Sequence, residues 1–433
     1  MNINQWTEKY KGILLGMDES LLALDEFKSV FDGKTAILYG YGMLGRNLGS
    51  IFTKLGIKYL AIDRNAETIE RKTGFEVRNP SFLETIQNAD EYVLFASVNR
   101  LKVASIREDL AGLSVKFPEP ASGHDLHMTL QSALCTAKRY RGDELILKDC
   151  YECSILDNTC PVLAGYLRDR SGFAGDARRT APAVKMIGYV LGNICTLNCV
   201  NCCESVPYVA PESKSFVPTE TVLADIRRYA GACEYITLLE FIGGEPFLHP
   251  GTAEILTEAL KIPNIGVIHV FTNGTVLPKP NLCAVLADPR IVVYISNYSN
   301  VLPDKTTRRV TQTIATLEAS GVSFVHGSNA NWYDISSFEH LEEDDASVKN
   351  RYEKCFLHTC NRLHRGLLYR CPHHFSGVVL DKLDSSDVVS IHEGSEADLV
   401  ARLEAFVAQP FATACRNCAM PFNATFITPG IQR

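Results

Sequence analysis

Three cysteines within one short stretch, Cys195-Thr-Leu-Asn-Cys199-Val-Asn-Cys202, constrain this chain more than any other feature. They follow an apolar run, Val184 to Leu191, that reads as a buried strand. A short loop that presents three thiolates on one side can bind three irons of a four-iron, four-sulfur cluster. The fourth iron is then left without a protein ligand, and an open coordination position implies chemistry rather than scaffolding. A zinc site is the other reading, but three ligands at this spacing do not make paired structural knuckles. A disulfide fits less well, because neighbours this close are badly placed to bridge and a third thiol is left over.

The rest of the composition fits that reading. A chain of 433 residues predicts two or three domains. It is 46% hydrophobic and 21% charged, ordinary for a globular protein with a sizeable core. No apolar run approaches the roughly 20 residues needed to cross a bilayer. The first residues, Met1 to Glu8, lack the basic and apolar regions of a signal peptide, so a cytoplasmic location is expected. A net charge of −7 argues against a general nucleic-acid or membrane-surface partner. The 15 cysteines cluster at metal-ligand spacings, which in reduced cytosol means iron–sulfur ligation and not a disulfide framework.

Residues 1 to about 30 read as an amphipathic helical lead-in. The strand Thr35–Tyr39 then runs into the turn Gly40-Tyr-Gly42-Met-Leu-Gly45. The helix that follows carries Leu44, Leu48, Ile51, Phe52 and Leu55 on one face, and a second strand, Tyr59–Ile62, ends at Asp63. This is the G-x-G-x-x-G arrangement in its strand–turn–helix setting, with an acid about twenty residues on. It predicts a small open α/β unit over residues 30–120, with Tyr92–Ser97 as a further strand. Gly40, Gly42 and Gly45 would admit a nucleotide pyrophosphate to the helix N-terminus, and Asp63 would accept a ribose hydroxyl. The competing reading is that the glycines serve helix–strand packing alone. The unit resembles, loosely, the Rossmann-like modules attached to sugar-modifying enzymes.

Cys150, Cys153 and Cys160 fall in the stretch that joins this unit to the cysteine loop. They read either as ligands of another cluster or of zinc, or as reduced thiols in a helical linker. Arg168, Arg170, Arg178 and Arg179 make the same stretch locally basic. Beyond the loop, strands alternate with helices. Pro218-Thr-Glu leads a helix with Val222, Leu223, Ile226 and Tyr229 on one face. The apolar runs 236–242, 267–271, 291–295 and 322–325 end, respectively, in Gly243-Gly244-Glu245-Pro246, Thr272-Asn273-Gly274, Ser296-Asn297 and His326. Such repetition predicts a parallel sheet with right-handed crossovers, curled as a partial barrel, with its functional groups at the strands' C-terminal ends.

The cysteine loop, with Gly-Gly-Glu-Pro in register after it, resembles the radical S-adenosylmethionine (SAM) superfamily over roughly residues 185–330. The resemblance implies an α/β fold built on a partial (β/α)6 barrel, and a [4Fe-4S] cluster held by Cys195, Cys199 and Cys202. Its open iron chelates SAM, and one electron cleaves SAM to a 5′-deoxyadenosyl radical. Gly243, Gly244, Glu245 and Pro246 match the motif that binds the SAM amino group; glycines at a strand end expose carbonyls, and an ammonium needs acceptors. Asn273, Ser296 and Asn297 are candidate contacts to the SAM carboxylate or ribose by position, with an ordinary turn as the other reading of Asn273-Gly274. The residue before the last cluster cysteine is often aromatic in the family; here it is Asn201, which leaves the adenine contact unassigned.

Further along, Cys355-x10-Gly366-x4-Cys371 and then Cys415-x2-Cys418 resemble the twitch domain, the short form of the SPASM extension. That resemblance implies a second, auxiliary [4Fe-4S] cluster on four cysteines, with Gly366 at a hairpin turn between two of them. Cys360 competes with Cys355 for the first ligand position, and spacing favours Cys355. A four-cysteine zinc site is permitted by the same spacing. The expected division is a nucleotide-binding module over residues 1–120, a linker over 121–180, a radical SAM core over 181–345 and a small cysteine-rich domain over 346–433.

Twitch-bearing relatives include carbohydrate dehydrogenases and epimerases. The expectation is an oxidoreductase or epimerase acting on a sugar or nucleotide sugar, supplied with electrons by a flavodoxin- or ferredoxin-type donor. Cys203, beside the catalytic cluster, and Cys360 are candidate hydrogen donors to a substrate radical; each also reads as a small buried residue. A peptide maturase is the alternative enzyme, although a leader-binding winged helix would then be expected where Gly40–Asp63 stands. A non-enzymatic iron–sulfur redox or nucleotide sensor is the alternative from another class.

Overall fold

The computed structural model describes residues 2–10, 17–73, 75–97, 103–123, 125–127, 129–130, 133–134, 181–328, 332–422 and 424–433. Cys150, Cys153, Cys160 and the arginines of the same stretch lie outside them. The chain divides into two compact units, Met1–Val162 and Leu163–Arg433.

The first unit begins with helices Ile3–Tyr10 and Met17–Ser29. Trp6 is fully buried and its indole N–H donates to the Ala23 carbonyl at 2.8 Å, which locks one helix to the other. Strands β1 (Thr35–Tyr39), β2 (Tyr59–Ile62), β3 (Val77–Arg78), β4 (Tyr92–Ala96) and β5 (Ala121–Ser122) form one parallel sheet in the order β3-β2-β1-β4-β5. β1, β2 and β4 are short, mostly apolar runs that become fully buried toward their C-terminal ends, the pattern of strands covered on both faces. The order reverses between β1 and β4, and at such a switch point an open crevice forms beyond the strand ends. The unit does not stop at residue 120. β5 is a strand of the sheet, and Leu126, Leu130 and Ala133 belong to the buried core. Three apolar residues at spacings of four and three in the supposed linker were the signal.

In the second unit, β6 (Ala183–Val190), β7 (Tyr235–Ile242), β8 (Ile265–Thr272), β9 (Ile291–Asn297) and β10 (Phe324–Ser328) are parallel neighbours in chain order. Helices Thr219–Gly231, Thr252–Ala259, Pro280–Leu286 and Asp304–Ala319 connect them. Val222, Leu223, Ile226 and Tyr229 are buried in one core with the strand residues Ile236, Leu239, Ile268 and Val293. β10 runs two residues past His326, so that histidine stands within the strand and not at its end. A minor two-stranded ladder joins β11 (Trp332–Tyr333) to β15 (Phe426–Ile427).

The sixth parallel strand does not come from another strand–helix unit. β12 (Asn361–His364) docks on the outer edge of β6, and β13 (Leu367–Tyr369) and β14 (Val389–Ser390) continue the sheet antiparallel. The full order is β10-β9-β8-β7-β6-β12-β13-β14. The core and the cysteine-rich region, expected as separate domains meeting at residue 345, therefore share one sheet. The β12–β13 turn holds Arg365 at φ 49° and Gly366 at φ 72°, both left-handed as a tight two-residue hairpin requires. Buried Asp225 anchors that turn: its Oδ2 accepts from the Gly366 amide at 2.8 Å and the Tyr189 hydroxyl at 2.6 Å.

Candidate active site

The cysteine loop leaves β6 and is held by the end of β7. The Gly244 amide donates to the Gly192 carbonyl and the Glu245 amide to the Ile194 carbonyl, both at 2.9 Å. A Cβ on Gly243 would stand 2.6 Å from the Gly192 oxygen, and one on Gly244 only 2.0 Å from the Ile194 oxygen. The two glycines are thus required because the cluster loop crosses directly over them. The Gly244 and Glu245 amides are spent on that loop, which leaves the glycine carbonyls as the backbone acceptors at this strand end.

Cys195, Cys199 and Cys202 line one cavity of about 330 Å³ together with Gly243, Gly244, Asn273 and Ser296. Burial pushes the Cys195 thiol up to about 11 and the Cys202 thiol up to about 12. Metal binding at these positions must therefore release protons. Three thiols on one loop, facing one cavity beside two strand-end glycines, fit a cluster with three protein ligands and space at the fourth iron. Asn273 reaches the loop itself, its Nδ2 lying 3.4 Å from Cys195 Sγ and 3.1 Å from Thr196 Oγ1.

Glu245, Pro246 and Asn297 are placed otherwise than expected. The Glu245 carboxylate is fully buried and accepts from Thr272 Oγ1 at 2.7 Å, the Asn273 amide at 2.9 Å and the Phe247 amide at 3.1 Å. Burial raises its pKa to about 7 despite those three donors. It ties the end of β7 to the end of β8 and does not line the cavity; Pro246 is buried beside it. Asn297 accepts from the Ser299 amide and hydroxyl at 3.1 and 2.8 Å, which makes it a turn residue and not a cavity contact.

The cavity also has a charged wall that sequence reasoning missed. Arg362 on β12 lies over Gly188 of β6, where a Cβ would come within 2.7 Å of its guanidinium. Its Nε donates to Glu204 Oε1 at 3.1 Å, and Nη1 lies 3.8 Å from Glu240 Oε2. Glu204 Oε2 is buried and has no hydrogen-bond partner. The adjacency of Glu204 to the cluster cysteines was a signal; the pairing with Arg362, 158 residues away, was not. Cys203 is an exposed residue that lines the same cavity. Cys360 does not line it, although the Arg362 and Glu240 charges act on its thiol.

Cys355, Cys371, Cys415 and Cys418 surround a second cavity, and Cys360 is not among its walls. The four thiols frame a space and do not converge on a point. Among the described residues, no three Cys, His, Asp or Glu gather closely enough for a single ion. Cys371 also caps the helix Pro372–Val379, its sulfur accepting from the His374 amide at 3.5 Å. Buried Arg351 donates to the Cys418 carbonyl and pairs with Glu343 at 2.6 Å, which fixes the C-x2-C segment. Four thiols on three separate segments, brought to one space, fit an auxiliary cluster fully ligated by protein.

In the first unit, Gly40 has φ 98° and the helix Met43–Leu55 starts three residues on, with Gly42 at its N-cap. A Cβ on Gly45 would lie 2.2 Å from the Gly40 oxygen, so Gly45 serves packing. At Gly42 nothing lies within 4 Å of a Cβ, so no neighbour in the fold requires a glycine there. Asp63 turns back on the loop: Oδ2 accepts from the Tyr41 amide at 2.9 Å and Oδ1 from the Asn65 amide at 2.8 Å. Its role in the structure is to brace the glycine turn rather than to stand free for a ribose.

Residues 189–326 match the model of the Radical SAM superfamily, so the chain carries a radical SAM domain. No curated protein matches the chain. Among solved structures, BtrN in complex with AdoMet and 2-DOIA is similar at 14% identity and a TM-score of 0.38, covering 55% of this chain and 94% of that one. Native anSMEcpe with bound AdoMet and Cp18Cys peptide is similar at 14% identity and a TM-score of 0.35, covering 54% and 87%. Streptococcus suis SuiB bound to S-adenosylmethionine is similar at 14% identity and a TM-score of 0.26; the chain spans 32% of that protein. Among the described residues, no helix is long and apolar enough to cross a membrane.

Proposed function

We propose that the chain is a radical SAM enzyme that abstracts hydrogen from a carbon of a sugar or nucleotide sugar, giving dehydrogenation or epimerisation. The observation that carries the enzymatic reading is the convergence of Cys195, Cys199, Cys202, Gly243 and Gly244 on one cavity within the matched domain. A bound cluster and SAM would supply a primary carbon radical there; the chain's own residues would bind, orient and exclude water. The Gly243 and Gly244 carbonyls would receive the SAM ammonium. The Glu204–Arg362–Glu240 wall lines the cavity with charged hydrogen-bonding groups, which suits a hydroxyl-rich substrate. Cys203, which lines the cavity, is the better-placed hydrogen donor; Cys360 does not line it.

Turnover in deuterium oxide with a panel of nucleotide sugars separates the outcomes. One solvent deuteron at an inverted carbon, lost in Cys203→Ala, means epimerisation with Cys203 as donor. A product two hydrogens lighter with no deuterium gained means dehydrogenation. Modification of a peptide with no carbohydrate turnover would refute the substrate class.

A nucleotide at the N-terminal, Rossmann-like unit belongs to the same proposal. It is favoured by Gly42, whose Cβ position is open. Gly42→Val is expected to leave the melting temperature of the full chain unchanged and to weaken UDP or ADP binding at least tenfold by calorimetry. Equal affinity in both proteins, or no heat with the wild type, leaves the glycines a packing role only.

A further inference from the structure

Residues Gly430–Arg433 run antiparallel along the cluster loop. The Val200 amide donates to the Ile431 carbonyl at 2.7 Å and the Arg433 amide to the Asn198 carbonyl at 2.8 Å, on either side of a Cys199–Gln432 bridge. Gly430 makes this approach possible, since it holds φ 74° and a Cβ there would lie 2.5 Å from the ring of Tyr298. The Gln432 side chain then lies against Cys199, a residue 233 positions earlier.

The orientation of that carboxamide follows from its partners. Its Oε1 accepts from the Asn198 amide at 2.8 Å, and an N–H can only be met by the oxygen end. The other end is therefore the NH2 group, which donates to the Gly430 carbonyl at 2.6 Å and to Cys199 Sγ at 3.3 Å. A thiolate that ligates iron keeps lone pairs able to accept such a bond.

We propose that Gln432 is a positioning residue for the SAM-binding cluster: it fixes the Cys199 sulfur and, through an N–H···S hydrogen bond, sets the cluster's reduction potential. The proposal rests on Cys199 being a cluster ligand. A hydrogen bond to a ligating sulfur withdraws electron density from the cluster and raises its potential. The segment 430–433 is thereby part of the redox site, although its sequence carries no metal-ligating residue.

The test is an anaerobic redox titration of the reconstituted full chain followed by electron paramagnetic resonance, with the SAM-binding cluster recognised by its response to added SAM. Gln432→Met keeps the length of the side chain and removes the donor; Gln432→Glu replaces the donor with a carboxylate oxygen. The midpoint potential is expected to fall in Gln432→Met and to fall further in Gln432→Glu. A packing role alone would not produce that order. Chelators are expected to strip iron from both variants faster than from the wild type. Equal potentials in the wild type and both variants would overturn the proposal while leaving the ligand assignment intact. A wild-type chain with no SAM-responsive cluster signal would overturn the assignment beneath it.

Discussion

Replacing Cys195, Cys199 and Cys202 together by alanine is expected to remove half of the iron and all SAM cleavage. The wild type should approach about eight irons per chain after anaerobic reconstitution, four at each of the two thiol sets. The triple variant should retain about four, held by Cys355, Cys371, Cys415 and Cys418 around their separate cavity. The converse pair, Cys415→Ala with Cys418→Ala, should lose the other four and keep the SAM-responsive signal. The fold should survive the first change, because the loop's backbone is tied by bonds that do not involve sulfur, from the Gly192 and Ile194 carbonyls to the Gly244 and Glu245 amides. Four irons in the wild type, unchanged when Cys415 and Cys418 are replaced, would remove the auxiliary cluster. Twelve would make ligands of Cys150, Cys153 and Cys160.

A single methyl group at residue 244 is expected to do nearly as much harm. The new Cβ would stand 2.0 Å from the oxygen, 2.5 Å from the carbon and 2.9 Å from the nitrogen of Ile194. All three are backbone atoms, so no side-chain rotation relieves the contact. The loop must lift, losing two hydrogen bonds of about 1 kcal/mol each and adding overpacking strain, for a total of roughly 3 kcal/mol. Cys195 follows immediately and would be carried out of register with Cys199 and Cys202. Gly244→Ala should therefore lower the denaturation midpoint and bind about four irons instead of eight. Gly231→Ala is the matched control, since nothing lies within 4 Å of its Cβ and the helix gains propensity. Equal stability and equal iron in the two variants would show that the loop does not rest on Gly244.

The contrast between these residues and the misplaced ones shows what local pattern can carry. The ends of β7 and β8 were legible because their apolar runs give way to Gly243 and Asn273, and periodicity is a property of neighbouring residues. The hairpin was legible because a tight turn needs left-handed backbone, which Gly366 supplies. Glu245 was not, because a motif does not state which way a side chain faces; its partners Thr272 and Asn273 lie on the next strand. The bond that the Asp63 carboxylate accepts from the Tyr41 amide was hidden for the same reason. The docking of β12 on β6, the Glu204–Arg362 pair and the Gln432–Cys199 contact are all encounters between distant segments. They depend on how the sheet is assembled and leave no periodic trace in the chain.

Cleavage of SAM by the reconstituted chain tests the central claim most directly. With dithionite, SAM and strict exclusion of oxygen, the wild type should release 5′-deoxyadenosine and methionine, accelerated when the correct sugar or nucleotide sugar is present. An iron-loaded wild-type protein that yields no 5′-deoxyadenosine above the level seen without reductant would contradict it.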